Sequence, residues 1–245
     1  MTRMAVIPVR MDSSRLPGKA LRPILGEPML GRLIERVRRS EALDDVLIAT
    51  TTLPSDDALE ALADELGVRC FRGDPEDVLG RIHSAVEAHD VHQVVELMGD
   101  SPLVHSALIE DTITLYERGS FDYVTSRTAT VHIGPGRPTH GFPVGLWVQV
   151  FDAEFLARCH AEASDPFFRE HSTSFMFKHP NRWSIGYFDP KGSWSPLDRP
   201  ELFWAVNTAE QFAQITAIFE ACYPDDSNFH PERALERIPR DEAQI

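Results

Sequence analysis

The hydrophobic positions of this chain fall into two kinds of run that take turns. Met4–Val9 (MAVIPV), Asp45–Thr50 (DVLIAT), Val68–Phe71 (VRCF) and Gln93–Met98 (QVVELM) are short and nearly continuous. That is the pattern of strands buried on both faces. Between them the apolar residues recur at helical spacing, with Leu30, Leu33, Ile34 and Val37 inside Pro28–Arg39, and Leu59, Leu62, Ala63 and Leu66 inside Asp56–Leu66. Gly67 is a stop signal for the second of these helices. Helices over Asp77–His89 and over Ser106–Arg118, the latter capped by Ser106, continue the rhythm. Strands alternating with helices predict an α/β fold whose mostly parallel sheet carries helices on both faces. Ligands of such sheets bind beyond the carboxyl ends of the strands, which selects the loops after Val9, Thr50, Phe71 and Met98.

From about Phe121 the rhythm changes. A stretch rich in Gly, Pro and His (TATVHIGPGRPTHGFPVG) precedes the strand-like Gly145–Phe151 and a helix over Ala153–Glu162. Residues 125–190 are expected to form an insertion within a single domain spanning 1–245. Apolar segments at Ile185–Phe188 and Leu202–Val206, then a helix over Ala209–Tyr223, return the chain to the main sheet. The polar tail, 224–245, is expected to be poorly ordered.

Composition narrows the function. With 42% apolar and 25% charged residues in 245, the chain is an ordinary folded domain that needs neither a disulfide nor a metal to hold its core. A net charge of -14 argues against nucleic acid as a partner, because that affinity rests on cations neutralising phosphates. The cations are nevertheless concentrated at one end: Arg3, Arg10, Arg15, Lys19, Arg22, Arg32, Arg36, Arg38 and Arg39 all fall early. The run from Arg32 to Arg39 is expected on a solvated helix face. Cys70, Cys159 and Cys222 are widely spaced and fit a reduced, cytoplasmic protein. No segment is long and apolar enough to span a membrane, and no signal peptide is read at the start.

Three loops carry candidate chemistry. RMDSSRLPGK, directly after the first strand, offers two arginines, two hydroxyls, a glycine and a lysine, a set suited to a triphosphate. It is not a GxxxxGK[ST] loop. LMGDSPLV ends the fourth strand, and Asp100 there suits either a Mg²⁺ ligand or a turn. FRGDPEDVLGR joins a strand to a helix, with Asp77 as a cap and with Arg72 and Gly73 facing the same crevice. His140 and His171 are spaced unlike a metal site.

IPVRMDSSRLPGKAL resembles the nucleotide-binding signature of the cytidylyltransferases that activate keto-deoxy acid sugars, the CMP-Kdo and CMP-sialate synthetase group. ATTTLPSDDALEALADELGVRCFRGDPEDVLGRIHSAV, HGFPVGLWVQVF, DPFFREHSTSFMF and FWAVNTAEQFAQI are similar, in order, to blocks of its spore-coat polysaccharide biosynthesis branch. The resemblance reaches to about Glu220. It implies a Rossmann-like nucleotide-binding core, a dimerisation lobe and a homodimer. It further implies transfer of CMP from CTP to a small acidic, sugar-like acceptor with release of pyrophosphate and help from Mg²⁺. By position, Arg10, Ser14, Arg15 and Lys19 would hold the triphosphate, with Arg10, Lys19 and Asp100 as the catalytic set. Arg72 and Gly73 would lie near the nucleoside, and Asp100 and Asn207 would hold the metal. Trp147, Gln149 and His171 are the candidate acceptor contacts.

Three departures from the branch matter: GLWVQVF stands for GLDVEVF, and AVNT for TVDT. Trp147, Gln149 and Asn207 thus replace acids. Asn207 keeps an oxygen but lowers the charge of a metal site. An indole and an amide in place of two anions favour a more anionic acceptor. Two other readings stay open: a CTP-binding homologue with lost turnover, and a nucleotide-sugar glycosyltransferase, which would need an Asp-x-Asp where this chain has GDSP.

Overall fold

The strands take their place from the alternation of their side chains. In the first strand, β1 (Arg3–Pro8), Met4 and Val6 face one layer of core while Ala5 and Ile7 face the other. The computed structural model describes residues 1–127 and 140–237. After β1 come a small hairpin, β2 (Pro23–Ile24) and β3 (Glu27–Pro28), and the helix α1 (Met29–Val37). β4 (Asp45–Thr51), α2 (Asp57–Leu66), β5 (Arg69–Gly73), α3 (Val78–Ala88), β6 (Gln93–Leu97) and α4 (Ser106–Arg118) follow. The second half supplies β7 (Tyr123–Thr125), β8 (Val148–Asp152), α5 (Ala153–Glu162), α6 (Pro166–Glu170), α7 (Ser174–Lys178), β9 (Ile185–Tyr187) and α8 (Ala209–Cys222).

Among the described residues seven strands form one sheet in the order β5-β4-β1-β6-β8-β7-β9. β1 pairs in parallel with β4 and β6, β4 with β5, and β7 with β9; β8 runs antiparallel to both β6 and β7. The predicted mostly parallel sheet is therefore present. The chain leaves β1 toward β4 and β5, then returns to place β6 on the other side of β1. That reversal opens a crevice at the carboxyl ends of β1 and β6. One face of the sheet is covered by α1, α2, α4 and α8, and the other by α3 and α5.

Several expectations need correcting. Residues 125–190 were expected as an insertion, yet their strands β8 and β9 lie in the main sheet and complete its edge; residues 128–139 of that stretch lie outside the described residues. Leu202–Val206 forms no strand. It runs alongside the segment before β8 through a single bridge, Val144 to Phe203. Ser106 is the first residue of α4 rather than its cap, and His105 Nδ1 accepts from the Ala107 N–H instead. The tail packs as well. Phe229 is fully buried and Pro231–Arg237 forms a 3₁₀ turn.

The arginines of α1 are not all solvated. Arg32 and Arg36 are 6% and 0% exposed. The Arg36 guanidinium donates to the carbonyls of Val104 and Phe229 and lies over the Phe229 ring, 4.5 Å from its centroid. Burial pushes its pKa down to about 10. The helical period alone could not separate these two positions from the exposed Arg38 and Arg39, because α1 is covered by the tail as well as by the sheet.

Candidate active site

The crevice at the β1/β6 switch point is a cavity of about 610 Å³. One wall is the segment from Arg10 to Lys19. Leu16, 4% exposed, anchors it from beneath, and Gly18 closes it with φ +70, a left-handed conformation that favours glycine. The Met11 carbonyl accepts from the N–H groups of Ser13 and Gly18, which folds the loop back on itself. Asp56 fixes its start. This fully buried carboxylate accepts from the Met11 N–H at 2.8 Å, from the Thr50 hydroxyl, and from both the N–H and the hydroxyl of Thr51. Burial alone would raise the Asp56 pKa, but those donors outweigh it and hold it below the usual carboxylate value.

The opposite wall follows β6. Gly99 lets this strand's exit approach β1, for a Cβ there would stand 2.9 Å from that of Val9. Asp100 is the next residue. A second close approach brings in Asn207: at Gly145, φ +106, a Cβ would meet the backbone of Trp204 and Ala205 at 2.6 Å. The Trp204 N–H donates to the Val144 carbonyl, and the Val206 N–H donates to the Asp100 carbonyl at 2.8 Å. Asn207 and Thr208 then lead into α8, where Thr208 and Gln211 form a capping box.

Lys19 joins the two walls. Its Nζ donates to Asp100 Oδ2 at 3.0 Å, to the Val206 carbonyl at 2.6 Å and to Asn207 Oδ1 at 3.2 Å. Asn207 Oδ1 also accepts from Arg15 at 2.9 Å. Arg10 reaches the Pro75 carbonyl and Glu170 Oε1, the latter at 3.2 Å. The structure therefore gathers Arg10, Ser14, Arg15, Lys19, Asp100 and Asn207 around one cavity, which Trp147, Gln149 and His171 also line. Ser14, Arg15 and His171 are exposed; Gln149 is buried.

Arg72 and Gly73 do not line the cavity. The Arg72 guanidinium is engaged by Asp57 and Glu60 of α2 and by the carbonyls of Thr51 and Leu53. Gly73 pairs with Thr51, and a Cβ there would crowd Arg81 and Phe71 at 3.0 Å. Both stand on the β4–β5 side, while the loop that follows them borders the cavity through the Pro75 carbonyl, which accepts from Arg10, and through Val78 and Arg81 of α3. Asp77 caps α3 by accepting from the Gly80 N–H at 2.8 Å, and it also pairs with Arg169.

Other residues of the cavity were absent from the sequence reading. Glu96, in the centre of β6, is 1% exposed and stands opposite Gln149 of β8. Its Oε1 accepts from the Ser172 hydroxyl at 2.7 Å, and burial pushes its pKa up to about 7. Arg127 lies over the Trp147 indole, 4.4 Å from the centroid. The pocket around Trp147 and Gln149 therefore contains a buried acid and a cation as well as the two residues that stand in place of acids. The signal for Glu96 was present in QVVELM: an acid inside a strand buried on both faces needs a reason.

Among the described residues no group of three or more His, Cys, Asp or Glu side chains is arranged to hold a metal ion by itself. The donor set at Asp100 and Asn207 fits a different kind of site. One carboxylate and one amide oxygen converge on Lys19, and Mg²⁺ in phosphate chemistry takes few protein ligands, the rest being phosphate oxygens and water. Among the described residues no helix is long and apolar enough to cross a membrane.

A switch-point cavity with a cationic loop on one wall and an acid and an amide on the other defines a nucleotidyltransferase-like site on an α/β sheet. Residues 4–239 match the family model described as cytidylyltransferase, and the chain belongs to that family. It is 30% identical to the spore coat polysaccharide biosynthesis protein SpsF of Bacillus subtilis, over 95% of this chain and 96% of the relative. It is 33% identical to the 8-amino-3,8-dideoxy-manno-octulosonate cytidylyltransferase of Shewanella woodyi, over 71% of this chain and 70% of that one. A solved cytidylyltransferase of Leptospira borgpetersenii has the same fold, with a TM-score of 0.85 at 23% identity over 98% of this chain and 95% of that chain.

Proposed function

We propose that this cytidylyltransferase transfers CMP from CTP to an oxygen of a sugar-like acid and releases pyrophosphate. The observation that carries the proposal is the convergence of Lys19 on Asp100 and Asn207 and of Arg15 on Asn207, with Arg10 lining the same cavity, which has room for a second substrate. Arg10, Arg15, Ser14 and Lys19 grip the triphosphate. Lys19, oriented by three acceptors, neutralises charge as the bond to the leaving pyrophosphate breaks. The acceptor oxygen attacks the α-phosphate in line, its approach fixed by the far end of the cavity. Asp100 and Asn207 would hold Mg²⁺, whose charge would add to that neutralisation when it is bound. No side chain is required as a covalent nucleophile. A homodimer in a reducing cytoplasm is part of the same reading; the free thiols of Cys70, Cys159 and Cys222 are compatible with it.

The test is a comparison of thermal stabilisation by CTP, UTP, ATP and GTP with and without Mg²⁺, followed by pyrophosphate release with a panel of keto-deoxy sugar acids. CTP is expected to stand out and to support release. One observation favours a second reading, a CTP-binding homologue without turnover: Asn207 Oδ1 already serves two cations, Arg15 and Lys19, with no formal charge of its own. Stabilisation by CTP with no release from any acceptor is the result that reading requires.

A further inference from the structure

On the β8 and β7 side of β6, across that strand from the phosphate loop, the cavity ends in a group of polar side chains whose demands are unmet. Glu96 Oε1 is taken by Ser172, but Oε2 is buried without a partner. The Nε atom of Arg127 is likewise buried and unpaired. Gln149 Oε1 accepts from the Tyr123 hydroxyl and does not reach the Arg127 Nε. Trp147 covers one face of the Arg127 guanidinium and so fixes its plane. A buried carboxyl oxygen and a buried guanidinium N–H left open beside a cavity are costly in the free protein, and a ligand that pairs both removes that cost.

We propose that Glu96 and Arg127 select an acceptor that carries both an ammonium and a carboxylate, with the ammonium on Glu96 and the carboxylate on Arg127. This rests on the cytidylyltransferase reading above and specifies its substrate class. An acceptor that is only anionic would pair with Arg127 but would hold Glu96 in its protonated form and leave its charge unused. A neutral hydroxyl in place of the ammonium would supply a donor without a countercharge. Burial holds Glu96 near about 7, so a neighbouring ammonium draws it to its ionised form at neutral pH. Trp147 and Gln149, which stand where the branch carries acids, keep Glu96 the principal anion among the lining residues there.

Two sugars that differ at one substituent test this: 8-amino-3,8-dideoxy-manno-octulosonate and 3-deoxy-manno-octulosonate, the second bearing a hydroxyl for the amine. Pyrophosphate release is measured with both, for the native enzyme and for Glu96→Gln, which keeps the shape and removes the charge. The native enzyme is expected to favour the amino sugar in kcat/KM by about tenfold or more, and the variant to lose most of that preference. Arg127→Met is expected to raise KM for both sugars together. The KM for CTP in each variant reports whether the nucleotide half is still folded. A native enzyme without preference, or a Glu96→Gln variant that keeps it, overturns the assignment of Glu96 while leaving the cytidylyltransferase reading intact. Release with neither sugar overturns the octulosonate-like acceptor itself, and the Glu96 assignment with it.

Discussion

At the scale of single residues, the proposed reaction leans most on Lys19 and Asn207. Lys19 has three acceptors within 3.2 Å, and one of them is the only formal charge among the three. Replacing it by methionine leaves Asp100 without its counterion and removes a donor aimed at the triphosphate. We expect Lys19→Met to lower kcat for pyrophosphate release by about 100-fold or more, the scale for losing one preorganised donor to a developing charge. CTP-dependent stabilisation should fall less than turnover, because Arg10 and Arg15 remain. Asn207→Asp adds a charge to the pair proposed to hold Mg²⁺ but also a stronger partner for Arg15 and Lys19. If metal affinity limits the native enzyme, the variant needs about tenfold less Mg²⁺ for half-maximal rate; an unchanged Mg²⁺ titration would show that the amide oxygen already suffices. Both residues were singled out in the sequence because each sits in a short recognisable motif, Lys19 in the loop after β1 and Asn207 just before α8. Glu96 and Arg127 were not singled out, because neither belongs to a motif. Glu96 gains its meaning from register against Gln149, and Arg127 from packing on Trp147.

At the scale of elements, the phosphate loop and α6 are held by partners distant in sequence, which is why the sequence reading misplaced some roles. The repeated strand-loop-helix pattern made the loops after β1, β4, β5 and β6 look equivalent. Only the structure shows that the loops after β4 and β5 support the site from outside, through Asp56 on Met11 and the Pro75 carbonyl on Arg10, and that Arg72 is paired with Asp57 and Glu60 of α2. Asp56 likewise read as one more helix-start acid, yet it ties β4 to the phosphate loop. Asp56→Ala leaves two N–H groups and two hydroxyls with lost partners and should cost about 2–4 kcal/mol of unfolding free energy. The native pair of states also fixes the pH dependence. The folded pKa of Asp56 lies below the ordinary value of 3.8, so its contribution is complete above that value and is lost as pH falls through the lower folded one. Unfolding midpoints measured between pH 6 and pH 2 should therefore fall less steeply in Asp56→Asn than in the native protein. The helix α6 bears on the loop from the other side, with Glu170 on Arg10 and Arg169 on Asp77. Triphosphate and Glu170 compete for one guanidinium that is 38% exposed. Glu170→Gln should lower the KM for CTP by about 2–3-fold, the modest effect of an exposed pair, and raised KM would mean that Glu170 orients Arg10 rather than occupying it.

At the scale of the whole molecule, the segment after α8 closes the layer that carries α1, α4 and the strand ends of the site. Its polar composition read as a loose end, and composition is a poor guide when a few apolar residues such as Phe229 and Ala234 meet a surface that is otherwise open. Phe229 is buried between α1 and α8, with its ring set edge-on to Phe219, and its carbonyl is one of the acceptors for the buried Arg36. His105, on the loop that follows Asp100, donates from Nε2 to the Asn228 carbonyl at 3.0 Å, and burial first, then the Arg36 charge, pushes its pKa down to about 4. With the ring neutral at pH 7, its Nε2 carries the proton toward that carbonyl while Nδ1 accepts from Ala107. Truncation after Tyr223 therefore removes more than surface. It should expose the Phe219 side of the core and leave Arg36 without one of its carbonyl partners, at a combined cost of about 3–6 kcal/mol. The same truncation in an Arg36→Met background should cost less, because no buried cation is then left short of acceptors. A double-mutant cycle on thermal or urea unfolding measures the difference. Equal costs in both backgrounds would mean that the tail acts through Phe229 burial alone and that Arg36 is satisfied by Val104 and Leu103 without it.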